Sequence, residues 1–163
     1  MSANKHIPHV LVLPEDDANT EIATGFSLHE ALRPRAIQVL PCAGGWPKVR
    51  DSFRSDHINA MRRNSHRRMV LLVDFDEKES RFKEMTETIP ADLAERVFVI
   101  GVWKEAEDLT RAGLGSREAV GYELASECFD DSKDIWDHSL LRHNADELAR
   151  MTKQLRPMLF PSS

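Results

Sequence analysis

Four short apolar runs, at residues 9–13, 36–40, 69–73 and 96–102, recur along the chain with helix-compatible segments between them. Each is rich in Val, Leu and Ile and nearly continuous in hydrophobicity, as a strand covered on both faces must be; a strand with one wet face alternates instead. Between the first two runs, ANTEIATGFSLHEALRP carries Ile22, Phe26, Leu28 and Leu32 near helical spacing and stops at a proline. WPKVRDSFRSDHINAMRR repeats the pattern with Val49, Phe53, Ile58 and Met61, and ESRFKEMTETIPADLAER predicts a helix that breaks or ends near Pro90. Strand and helix alternate, which with right-handed crossovers gives an α/β fold: a four-stranded, mainly parallel sheet between helices, a Rossmann-like three-layer sandwich.

After Val102 the pattern turns helical and polar. Ser116 caps one predicted helix, with Val120, Leu124 and Cys128 four residues apart; Asn144 caps another, with Leu148, Met151 and Leu155 on one face. The expected organisation is a single domain over 1–163, with a core at 8–103 and a helical C-terminal extension at 104–163. A length of 163 residues fits one domain.

Composition removes several function classes. No apolar run approaches the ~20 residues of a membrane span, and the polar start MSANKHIP does not look like a signal peptide, so a cytoplasmic location without membrane contact is expected. Cys42 and Cys128 lie far apart with no CxxC spacing, which predicts reduced, structural thiols rather than a zinc site or disulfide framework. A net charge of −5 speaks against a surface that binds nucleic acid everywhere, yet MRRNSHRRM concentrates Arg62, Arg63, Arg67 and Arg68 just before the third run. A local basic patch, able to contact DNA or RNA phosphates, survives in an acidic protein.

Ligand sites of open parallel sheets lie beyond the carboxyl ends of the strands, so the residues that follow each run carry the functional information. Run one is followed by Glu15, Asp16 and Asp17; run two by PCAGGWPK; run three by DFDEKE, beginning at Asp74; run four by WKEAED. Asp16 and Asp17 fit the N-cap and first turn of the first helix. Glu15, Asp74 and Asp76 are expected to converge on one edge, and converging carboxylates repel unless a proton or a cation intervenes. Hard oxygen donors are the ligands of Mg²⁺, or of Mn²⁺ in its place. Gly44 and Gly45 would let backbone amides approach a phosphate, with Lys48 adding charge.

VLVLPEDDAN followed by MVLLVDFDE resembles the Toprim domain shared by topoisomerases, primases and OLD-type nucleases, over roughly residues 8–103. The resemblance implies that Glu15 ends the first strand and that the Asp74-x-Asp76 pair ends the third, together binding Mg²⁺ for phosphodiester chemistry. The Gly44-Gly45 turn is similar to the glycine turn of that family. It differs at Asp16, where a small residue is usual, and at Glu77, with no glycine nearby. The expectation is a magnesium-dependent nuclease or phosphoryl-transfer domain acting on nucleic acid, by itself or as a subunit of a larger assembly with a separate ATPase. Two other readings remain open: a catalytically inactive interaction scaffold of the same fold, and a receiver-like signalling module, which would need a fifth strand.

Overall fold

Four strands, β1 (His9–Pro14), β2 (Ile37–Val39), β3 (Arg67–Leu72) and β4 (Val97–Ile100), lie in the order β2, β1, β3, β4 and run parallel throughout. The structure, a computed structural model, describes residues 2–161. The helices, in chain order, are α1 (Asp17–Ser27), α2 (Trp46–Ser52), α3 (Ile58–Arg63), α4 (Ser80–Thr86), α5 (Glu107–Arg111), α6 (Arg117–Asp130), α7 (Ala145–Gln154) and α8 (Arg156–Leu159). A π-helical turn at Phe53–His57 joins α2 to α3.

Strand side chains alternate between the two faces of the sheet. Leu11, Leu13, Met69, Leu71, Val97 and Val99 pack against Val49, Phe53, Met61, Met85 and Leu93 on one side. Val10, Val12, Val70, Leu72 and Phe98 meet Ala23, Ala125, Leu155, Met158 and Leu159 on the other. Each fully buried large side chain contributes about 1.5–3 kcal/mol, and both faces are covered, as the unbroken apolar runs require. The three-layer α/β expectation holds. The chain after Val102 is helical, and its α6, α7 and α8 pack with α1 on the second face of the sheet.

Two glycines bring α1 and α6 into backbone contact. A Cβ at Gly25 would fall 1.9 Å from the Glu118 carbonyl oxygen, and one at Gly121 the same 1.9 Å from that of Ile22. No other residue fits there. Residue Leu28, read as part of the first apolar stripe, lies beyond the end of α1 and is 69% exposed.

Capping agrees with the sequence at two helices and not at the third. Asp16 accepts a hydrogen bond from the Asn19 amide at 3.1 Å and Ser116 one from the Ala119 amide at 3.1 Å. Asn144 makes no such bond to α7. Its side chain turns to the edge strand, accepting from the Gly101 N–H at 3.2 Å and donating to the Gly101 carbonyl at 2.9 Å. Glu147 accepts from the Val99 N–H at 2.8 Å. Two side chains thus satisfy backbone groups that a fifth strand would otherwise pair. No helix among the described residues is long and apolar enough to cross a membrane.

Candidate metal centre

The register of β1 on β3 sets the site. Pro14 lies opposite Leu72, so the chain leaves both strands at one level on the carboxyl edge. The Glu15 amide donates to the Leu72 carbonyl at 2.9 Å, and the Asp74 amide donates to the Glu15 carboxylate at 3.2 Å. Glu15 and Asp74 are therefore brought together, as expected. Asp16 joins them: one carboxylate oxygen from each of Glu15, Asp16 and Asp74 lies within 4.8 Å of the others. Around an octahedral Mg²⁺, with metal–oxygen distances near 2.1 Å, adjacent oxygens are about 3.0 Å apart and opposite ones about 4.2 Å, so the three carboxylates would have to draw together to share one ion.

Several features fit a cation there. Asp74 is only 3% exposed, and its Oδ1 has no hydrogen-bond partner. Asn19, fully buried, donates from Nδ2 to Asp16 at 2.9 Å while its Oδ1 is unpartnered. Orphaned buried oxygens are costly unless something positive satisfies them. Burial is the main cause that lifts the Asp74 carboxyl to about 8, with repulsion from Glu15 and Asp16 adding to it and the Asn19 amide partly offsetting it. Burial likewise lifts Glu15 to about 7, opposed by the Asp74 amide and reinforced by Asp16 and Asp76. Asp16 takes two roles that the sequence suggests only in part, helix cap and member of the cluster.

Asp76 stands outside the group. Its carboxylate accepts from Arg81 Nη1 at 2.9 Å, and the same Nη1 donates to the Asp74 carbonyl at 2.7 Å. Asp76 and Glu77 both adopt left-handed backbone, at φ 51° and 59°, because their amides reach across to the Lys104 and Trp103 carbonyls. That turn aims the second aspartate away from the first. Arg81 is the residue that sequence reasoning missed. The available signal was its spacing: Arg81 and Met85 are four apart on α4, so an arginine shares the buried face with a methionine.

The glycine turn serves the strand end. Gly44 and Gly45, at φ 94° and 129°, donate their amides to the Glu15 carbonyl at 2.8 and 3.1 Å. These amides brace Glu15 and are not free to receive a phosphate. Lys48 is exposed, and among the described residues it forms no ion pair.

The basic stretch lies at the opposite edge of the sheet. Arg67 and Arg68 begin β3, so they are separated from Asp74 by the length of a six-residue strand, roughly 20 Å. Arg62 forms a two-point pair with Asp92 at 3.0 and 3.1 Å, Arg67 donates to the His9 ring at 3.1 Å, and Arg68 donates to the His66 carbonyl at 2.7 Å. Arg63, also exposed, ends α3 beside them. The arginines and the acids therefore do not share a site.

Beside the carboxyl edge, His143 packs its ring between Phe75 and Trp103, with centroids 4.6 and 5.2 Å away. Burial pushes it down to about 4, so it is neutral at physiological pH. Cys42 and Cys128 are free thiols, and Cys42 is exposed with its sulfur 3.5 Å from Asp17.

Comparison with models of known families, with curated proteins and with solved structures returns no match to this chain.

Proposed function

We propose that the chain is a divalent-cation-dependent domain for phosphodiester or phosphoryl-transfer chemistry on nucleic acid, of the kind that the Toprim resemblance implies. The observation that supports this reading best is the orphaned, buried Oδ1 of Asp74 within a carboxylate set from two adjacent strand ends. Glu15, Asp16 and Asp74 would hold Mg²⁺ or Mn²⁺; the donor set is all oxygen, as these ions take. A bound ion there would polarise a phosphoryl oxygen and stabilise the charge that develops on it. Glu15 would either ligate the ion, giving up the proton that burial lets it keep to about 7 without metal, or stay outside the ion and carry that proton; its Oε1 is oriented by the Asp74 amide. Asn19 holds Asp16 Oδ1 through both its backbone amide and its Nδ2.

One observation favours the second reading, an interaction scaffold without catalysis: the arginines that could neutralise a substrate phosphate lie at the far edge of the sheet. A scaffold or a subunit of a larger assembly, completed by a partner such as a separate ATPase, would obtain those charges elsewhere.

Thermal melting of wild type and Asp74→Asn with and without Mg²⁺ or Mn²⁺, beside cleavage assays on single- and double-stranded DNA and RNA, separates the two. At 100 times Kd the ion should stabilise the wild type by about 2.7 kcal/mol, and Asp74→Asn should lose both that shift and any cleavage. Metal-dependent stabilisation without cleavage favours the scaffold. No response to either ion removes the metal centre.

A further inference from the structure

One buried cation braces the loop that carries Asp74 and Asp76. Arg81 is 2% exposed, and its Nη1 holds the Asp74 carbonyl and the Asp76 carboxylate together. Its guanidinium lies over the Trp46 ring, 4.4 Å from the centroid. Trp46 follows the Gly44-Gly45 turn, whose amides grip the Glu15 carbonyl. Arg50 stands over the same ring at 5.4 Å. The path from Asp76 to the Glu15 backbone thus runs from a carboxylate that is 42% exposed, through the buried Arg81 guanidinium, to the Trp46 ring. Arg81 Nε makes no hydrogen bond, and the nearest carboxylate to it besides Asp76 among the ion pairs of the described residues is Glu84, 3.9 Å away. The Asp76 ion pair is consequently its main neutralising contact.

We propose that Arg81 is a positioning residue that latches Asp76 out of the carboxylate set, so that the centre rests with Glu15, Asp16 and Asp74 as its acids and with a fourth in reserve two residues away. The proposal rests on the reading of the centre as a cation site. An aspartate two positions beyond Asp74 on the same loop is within the reach of a shared ion once its backbone turn is relaxed; the pair with Arg81 and the left-handed turn at Asp76 and Glu77 keep it away. A side chain that merely filled space under Trp46 would leave the contribution of Asp76 to cation affinity independent of residue 81. A latch makes that contribution appear only when Arg81 is gone.

Calorimetric titration of Mg²⁺ and Mn²⁺ into the full chain tests this with a double-mutant cycle. Asp76→Asn should leave affinity within about threefold of wild type, while Asp74→Asn and Glu15→Gln should lose tenfold or more, the scale expected for a lost ligand. Arg81→Met should bind the ion about tenfold more tightly than the Asp76→Asn/Arg81→Met pair, because the freed carboxylate then ligates. A loss in Asp76→Asn equal to that in Asp74→Asn overturns the latch, since Asp76 would then be a ligand already. If Arg81→Met does not fold, Arg81→Gln takes its place in the cycle, and equal affinity of Arg81→Gln and Asp76→Asn/Arg81→Gln overturns the latch. Should the wild type bind neither ion, the cation reading fails, and the latch is judged separately by the Trp46 indole N–H resonance, assigned with Trp46→Phe. A shift of that resonance in folded Asp76→Asn supports an ion pair that holds Arg81 on the ring; an unmoved resonance overturns it.

Discussion

Glu15 and Asp74 hold their protons at about 7 and about 8, against ordinary values of 4.5 and 3.8. Between about pH 4 and 8 the folded chain therefore binds more protons than the unfolded one, and stability without metal is fully present below that window and declines as pH rises through it. Circular-dichroism melts at pH 5, 6, 7 and 8 should show this fall, and Glu15→Gln should flatten it. The sign reverses for ion binding: a divalent cation must displace these protons, so Mg²⁺ affinity should rise with pH by up to about tenfold per unit for each proton released. A pH-independent affinity would mean that neither carboxyl is a ligand. At this scale the sequence disclosed the acids and not their arrangement. Glu15 and Asp74 were legible because strand ends of a parallel sheet share one edge; Asp76 was not, because its left-handed turn and the arginine that takes its carboxylate depend on the Lys104 and Trp103 carbonyls across the loop.

The α1–α6 contact is the least forgiving junction between elements. Gly25→Ala places a methyl group 1.9 Å from the Glu118 backbone oxygen, where no side-chain rotation relieves the clash. Overpacking typically costs ~1–3 kcal/mol, and against backbone the upper end is expected. Urea unfolding should show that loss, and the folded fraction should keep wild-type Mg²⁺ affinity; equal stability would mean that the helices separate freely. The strands were legible from their apolar runs, and α1 and α6 from their caps. The wide turn at Phe53–His57 was not: it inserts an extra residue between Phe53 and Met61, which keeps both on the sheet face where a regular helix would rotate one of them away. Asn144 reads locally as a helix cap, and only the approach of the edge strand, 43 positions earlier in the chain, redirects it.

At the scale of the whole molecule, one cluster of each charge lies at each end of the sheet. The acids gather where β1 and β3 end, and Arg62, Arg63, Arg67 and Arg68 gather where β3 begins. The sheet's flanks are also treated unequally. β4 is closed by Asn144 and Glu147, and Glu147 is itself paired with Arg150. Glu147→Ala should leave the buried Val99 N–H unpaired at a cost of about 1–3 kcal/mol, read by chemical denaturation; a neutral substitution would show that water replaces the carboxylate. On the far flank β2 has only three residues, and the Ala3 amide donates to the Gln38 side chain at 3.0 Å beside it. The side chains on β4 act as a terminator. A neighbouring polypeptide finds no row of free amides and carbonyls to copy there, so crowded chains lack a template for strand-by-strand growth along that margin, and any assembly at it must be built by side chains, which can tell one partner from another.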